Sequence, residues 1–464
     1  MKSRREFLAA GAALFTALPV FPEKVWASAK DLESAKEHLD PGMHLVRDGL
    51  TWAEKGKANN ISPVLREEIL ENPDAVFVIR TTVSSQKEPD GRFPAENEQF
   101  LQTGYSVAKK MLRKGNRKGG TTFIQPNYVG GFTADHRSVN NGVSTHPSFV
   151  AGFGDALKEM SNTNVVVGAN GAAKHIHFVE SGVAEMMHKH GLFLTEGKYE
   201  NWEDYIPEEI IWIDNPDGVV MLKVPFFRLL QAKDTTLINM AKDRIHQLGF
   251  TTLSLKNLQG TMPVGYMHIC QPWNDLKRPI GLQPGKKIFN PDYQRRIEQL
   301  YVKHAQMNYK YWDEGGFAKA YFSSGGWEAF KKGANNADYK LFWGEHWGQR
   351  MMDVASNVHP YVTLVEGIVG VDGANVLHLN NFVTISRSMA ACDAAAAWLM
   401  GHDPLEMPFL RIANERGLGQ NDIDKIAFYE ITDKGVEKID YRNLPRARMG
   451  VNVYGLKDMP LRYF

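Results

Sequence analysis

The chain has 464 residues, 43% of them hydrophobic and 23% charged, with a formal net charge of +1. Core volume therefore sets no limit on one large α/β domain with insertions, or on two domains. A charge so close to zero gives no general electrostatic pull toward nucleic acid or an anionic membrane, so any anion specificity has to be local.

Ser3-Arg4-Arg5-Glu6-Phe7-Leu8 resembles the twin-arginine export motif. It leads into an apolar stretch from Phe7 to Phe21 that is too short and too rich in glycine and alanine to span a bilayer comfortably. Ala27-Ser28-Ala29 then supplies a small-residue cleavage site. Residues 1–29 are expected to be a signal peptide read by the twin-arginine translocation machinery, and the mature protein to be periplasmic or otherwise exported, without a transmembrane segment. Proteins on that route travel folded, often with a cofactor already inserted.

A polar, helical lead is expected over residues 30–74, ending at Asn72-Pro73. Ala75 to Thr81 is a continuous β-branched and apolar run of the kind that forms a buried parallel strand. A helix is expected from Glu96 to Arg113, whose basic end before Gly119-Gly120 reads as ordinary cation placement at a helix C-terminus. Thr121 to Ile124 reads as the second strand and runs into Gln125-Pro126-Asn127. After a Gly, Asn and Ser-rich loop comes Thr145-His146-Pro147, where Pro147 suits a first helical position, Thr145 suits the cap and His146 lies beside free helix amides able to hold an anion. Asn164 to Val167 is a third strand running into a glycine turn. His175 and His177 follow as a pair of imidazoles for a divalent metal, the one cofactor class this sequence suggests.

Short strands at Ile210 to Ile213 and Val219 to Val224 precede Thr236 to Met240, the strand expected to deliver a concentrated polar cluster. From Ala241 to Gly260 the chain carries Lys242, Arg244, His246, Lys256 and Asn257 around a hydroxyl-rich run. Lys256 stands among Leu253, Leu255 and Leu258, so it is expected to be more desolvated than Lys242 and to matter more. The aromatic-rich stretch at about residues 261–347 reads as an insertion, either a ring-stacking lid or the core of a helical subdomain. Tyr361 to Ile368 is another strand and holds Glu366, while the alanine-rich helix Ser388 to Gly401 holds Asp393, a carboxylate that needs a partner such as a pocket lysine. Only Cys270 and Cys392 are present, which excludes an iron–sulfur cluster held by four cysteines of this chain; one disulfide between them and two buried thiols both remain open.

Lys242-Asp243-Arg244-Ile245-His246, followed ten residues after the histidine by Lys256-Asn257-Leu258-Gln259-Gly260, resembles the K-x-K-T-H then K-N-x-x-G signature of the domain of unknown function family 362. Thr145-His146-Pro147 matches its T-H-P, Gln125-Pro126-Asn127 stands where the family has K-P-N, and Glu366 stands for an aspartate. Asp393 and Gly417-Leu418-Gly419 extend the resemblance across about residues 75–430. It implies a shared fold and a shared pocket without a general activity. The family is distantly similar to the lactate racemase superfamily, whose members use histidines and a lysine-tethered nickel pincer cofactor; that link is analogy.

Together these features predict an α/β fold: an open, mostly parallel sheet with helices on both faces, an aromatic-rich insertion, and an extension over residues 431–464. Two function classes fit. In the first, an exported enzyme acts on a small carboxylate- or phosphate-bearing molecule. Lys242, Arg244, Asn257, Thr145, Asn127 and Asp393 would bind substrate, and His246, His146, Lys256 and Glu366 would carry the acid–base chemistry. In the second, a periplasmic binding or carrier protein grips the same small anionic ligand without catalysis. Both require these residues to converge on one pocket at the strand C-termini.

Overall fold

The computed structural model describes residues 63–84, 93–94, 96–115, 120–128, 138–139, 142–161, 163–168, 178, 182–194, 210–227, 230, 235–246, 250–262, 289–293, 295, 337–372 and 376–449. The export motif, the His175 and His177 pair, Cys270 and most of the 261–347 insertion lie outside the described residues, as does the side chain of His246.

The main sheet uses β1 (Val76–Arg80), β2 (Thr121–Pro126), β3 (Asn164–Val167), β4 (Phe193–Leu194), β5 (Thr235–His246), β6 (Phe250–Thr251), β7 (Val362–Val371), β8 (Leu377–Ser386), β9 (Phe428–Thr432) and β10 (Gly435–Ile439). Its order is β10-β9-β1-β8-β7-β5-β2-β3-β4, with β6 paired to β5. Every neighbouring pair from β7 to β4 is parallel, as is β9 with β1. β8 runs antiparallel to both β7 and β1. The sheet is thus mostly parallel, as the apolar runs predict.

Such runs need cover on both sides, since a parallel strand buries both of its faces. All ten residues of β7 are buried. Alternate residues divide between two cores: Val76, Phe123, Val166, Leu237, Ala241 and Val365 face one, and Phe77, Ile124, Val167, Ile238, Met240 and Leu364 the other. The second core is covered by α1 (Glu98–Met111), α2 (Pro147–Met160) and α3 (Val183–Lys189). The first is covered by the single turn α4 (Ser254–Asn257), α5 (Ala337–Ala355), α6 (Met389–Leu399) and α7 (Pro408–Glu415).

Three departures from expectation bear on the site. The strand expected at Thr236 to Met240 continues to His246, so Lys242, Asp243 and Arg244 stand on β5 itself rather than after it. The segments near residues 210 and 220 form an antiparallel hairpin, Ile210–Asp214 with Lys223–Phe227, outside the main sheet. Asp353 of α5 holds this hairpin's turn by accepting from the amides of Val219, Val220 and Met221 and from Arg416. Finally, β8 carries no clear alternation in Leu377–Ser386 because Asn380 and Asn381 interrupt it, and Asn381 adopts a left-handed φ of 55°.

The start of α2 is fixed by α1. A Cβ on Gly104 would lie 2.0 Å from the Phe149 carbonyl oxygen and one on Gly152 would lie 1.9 Å from that of Leu101, so only glycine lets the two backbones touch. Asn97 caps α1 and its backbone amide donates to Ser148 Oγ at 2.8 Å, which joins the two N-terminal ends.

Candidate functional site

The C-terminal ends of β2, β5 and β7 meet the start of α2. Thr145 is fully buried and does not cap the helix. Its hydroxyl instead accepts from the Asn127 amide at 2.9 Å and donates to the Met240 carbonyl at 3.1 Å, stitching the loop to β2 and β5. His146 takes the cap position: its Nδ1 accepts from the Ser148 amide at 3.2 Å, and its ring stacks on Phe100 with centroids 3.8 Å apart. An imidazole held this way, 3% exposed, is built into the helix start.

One amide of this helix start serves a carboxylate from the same protein. Glu366 Oε2 accepts from the His146 backbone N–H at 3.2 Å and from Lys242 Nζ at 2.6 Å, and its Oε1 accepts from Ile368 N at 3.0 Å. Lys242 is 1% exposed and Glu366 fully buried, so this is an ion pair out of water in which both Glu366 oxygens accept hydrogen bonds while Lys242 Nζ gives one, to Glu366, among the described residues. β5 and β7 bring the partners level by pairing Lys242 directly with Glu366.

The residues of α4 lie on the other side of the sheet. Lys256 is 8% exposed and its ammonium sits 5.6 Å over the Trp347 ring. Asn257 Nδ2 donates to the Gln125 carbonyl and to Asn239 Oδ1, both at 2.8 Å, and Asn239 Nδ2 reaches the Ser254 carbonyl at 2.9 Å. Asp393 finds its partner in the helix start rather than in a lysine: it accepts from the amides of Ser254 (2.7 Å) and Leu255 (2.9 Å) and from the Ser254 hydroxyl. Burial raises the Asp393 carboxyl to about 7 against the lowering effect of those bonds. Neither Lys256 nor Asn257 touches the Lys242 and Glu366 pair through any described bond. The single expected pocket is therefore two clusters backed by opposite cores, and Lys242 is the more deeply buried of the two lysines.

Asp243 is the residue that motif reading passes over. It is fully buried, with Oδ2 accepting from Asn380 Nδ2 at 2.7 Å. Its Oδ1 has no hydrogen-bond partner among the described residues and stands 3.8 Å from Lys242 Nζ. Burial raises this carboxyl to about 7; the Lys242 ammonium works against that rise and the Glu366 charge adds to it. The available signal was charge count, because two carboxylates converge on one ammonium out of water.

Arg244 is half-buried, and loss of hydration lowers its guanidinium to about 10, still cationic at neutral pH. Among the described residues its one hydrogen bond is a long one, 3.5 Å to the Val143 carbonyl, and no carboxylate pairs with it. Two amides at the end of β2 are also incompletely used. Asn127 is 1% exposed with neither side-chain atom partnered among the described residues. Gln125 bonds the Pro126 carbonyl through Nε2 and leaves Oε1 open, its amide crowded by Gly260 and Gly168, where a Cβ would come within 2.5 and 2.7 Å.

Among the described residues no group of three His, Cys, Asp or Glu side chains is placed to hold a metal ion, and the expected His175 and His177 ligands lie outside them. Cys392 is a free, buried thiol beside the Thr384 hydroxyl, its pKa pushed up by burial, and Cys270 lies outside the described residues. No described helix is long and apolar enough to cross a membrane.

No curated protein and no solved structure matches the chain. The family model described as Domain of unknown function (DUF362) matches residues 123–398, more than half of the chain and the span that holds Asn127, Lys242, Asp243, Arg244, Glu366 and Asp393. The chain belongs to the DUF362 family.

Proposed function

We propose that this protein is exported by the twin-arginine pathway and handles a small carboxylate- or phosphate-bearing molecule at the edge of the sheet beside Arg244. The observation that carries this reading is the state of Arg244: a partly desolvated guanidinium with one long bond to a carbonyl and no carboxylate partner among the described residues. A cation taken from water needs a counter-charge, and the planar guanidinium fork suits carboxylate and phosphate oxygens. Lys242 is less suited to that task, because Glu366 already neutralises it.

The enzyme reading rests on Asp243. A buried carboxyl with a pKa raised to about 7 and one oxygen without a hydrogen-bond partner among the described residues can hold or release a proton near neutrality. Lys242, tied to Glu366, then acts as a fixed charge that sets this affinity. His146 favours the second reading, a binding protein without catalysis, since its Nδ1 is committed to Ser148 and its ring is sealed against Phe100. Kinship with the lactate racemase superfamily is part of the proposal, and none of these contacts depends on it.

Titration calorimetry with sulfate and with acetate, neither of which titrates near neutral pH, tests the reading. Wild type is expected to bind at least one of them and Arg244→Gln to lose about tenfold in affinity or more; equal binding by both proteins contradicts the assignment. Export is tested separately by Arg4→Lys with Arg5→Lys, which is expected to hold the precursor in the cytoplasm. Normal export of that variant removes the twin-arginine assignment.

A further inference from the structure

Asn127 is the least satisfied buried side chain at this edge. Its backbone is pinned on both sides, N–H to the Thr145 hydroxyl at 2.9 Å and carbonyl to the Thr145 amide at 3.0 Å, so the residue cannot swing to find a partner. Yet Nδ2 and Oδ1 both lack one among the described residues, at 1% exposure. Leaving a buried donor and a buried acceptor unmade is costly, so their persistence calls for an occupant.

The two open atoms also restrict the chemistry of that occupant. A cation would satisfy Oδ1 and repel Nδ2, and an anion would do the reverse. A lone hydroxyl meets the two atoms poorly at once, because they share one carbon and their hydrogen-bonding directions run side by side. A cis N–H and C=O pair answers both in a closed ring of two bonds. We infer that Asn127 is the subsite for the neutral end of the ligand and takes a primary carboxamide or a lactam edge. The inference rests on the reading of Arg244 as the anion site, and the chain ties the two together. Arg244 contacts the Val143 carbonyl and the Asn127 backbone is bonded to Thr145, two residues further on, so these two anchor points are at most about 7 Å apart along the chain. The ligand is therefore a small anion that carries an amide a few bonds from its charge.

Succinamate and monomethyl succinate share a carboxylate and a similar shape, but only the first has amide N–H groups. Wild type is expected to bind succinamate about tenfold more tightly. Asn127→Leu is expected to bind both at the level of the ester and, with no ligand present, to melt at the same or a higher temperature, since it removes two unsatisfied buried atoms. Asn127→Asp keeps the shape, replaces the donor by an acceptor, and is expected to lose the preference as well, which covers a failure of the leucine variant to fold. A preference that survives in both variants, or is absent from wild type, overturns the subsite; so does a large fall in the melting temperature of ligand-free Asn127→Leu. Arg244→Gln separates the two claims: it should weaken both compounds by the same factor and keep their ratio. If it weakens neither while Asn127→Leu abolishes the preference, the anion assignment fails and the subsite stands. If wild type binds neither compound, both fail.

Discussion

Two polar clusters on the sheet carry similar residues and use them in different ways. Behind α4 to α7, Asp393, Ser254, Asn239 and Asn257 bond one another and the backbone, while Thr251, Thr252 and Gln259 beside them each keep one buried polar atom without a partner among the described residues. At the ends of β2, β5 and β7, Glu366 is closed by three hydrogen bonds, but Asp243, which packs with Asn380 beside Met449 of the first core, and Arg244 and Asn127 keep atoms or charge unanswered among the described residues. A polar network that satisfies itself fixes an architecture, whereas one kept open at a cost implies something that arrives later. By that criterion the Asp393, Asn239 and Asn257 network is structural, and the uncompensated charge of Arg244 assigns the proposed ligand to the β2 and β5 edge.

The comparison breaks most visibly if closed contacts prove dispensable. Lys242→Met leaves Glu366 buried without its cation and is expected to cost about 3–5 kcal/mol, the largest effect here. Chemical denaturation measures it, and an unchanged midpoint would show the pair to be decorative. Asp393→Ala strips the α4 amides of their acceptor and should cost about 2–4 kcal/mol by the same measurement; Asp393→Asn, which keeps one oxygen, should cost less.

Asp243 sharpens the contrast through pH. Its folded carboxyl, raised to about 7, keeps a proton that the unfolded chain releases near the ordinary aspartate value of 3.8. The folded state then binds more protons across that window. Its contribution to stability is present at the acid end and is lost as pH rises through about 7. Asp243→Asn should flatten this component, so the stability difference between wild type and variant should move against wild type as pH rises from about 4 to about 7. Parallel pH profiles would count against a proton held at Asp243. The smallest single contact probed is that of Lys256 with Trp347, whose share of the loss in Lys256→Met should be about 0.5–2 kcal/mol by chemical denaturation.

Much of the fold was legible in the chain. The β-branched runs at Thr121, Asn164 and Tyr361 became β2, β3 and β7, and Pro147 marked the first residue of α2. β8 was hidden because Asn380 and Asn381 interrupt its pattern, although Asn380 is the residue that bonds Asp243. The candidate site was legible as a list of residues but not as a division between faces. Leucines beside Lys256 signal burial, but the deeper burial of Lys242 is imposed by Glu366, 124 positions away. Thr145 and His146 exchanged roles for a similar reason, since the threonine hydroxyl was claimed by Asn127 and by Met240, 95 positions distant. Local sequence ranks the residues able to cap or pair, and long-range register decides among them.

The most direct test sets Arg244 against Lys256. Sulfate affinity is measured for wild type, Arg244→Gln and Lys256→Met on preparations whose melting temperatures are recorded alongside. If the ligand edge lies at β2 and β5, Arg244→Gln loses binding by about tenfold or more with its melt preserved, and Lys256→Met binds like wild type. Loss of sulfate binding in Lys256→Met, with Arg244→Gln unaffected, would contradict the account and return the site to the α4 face.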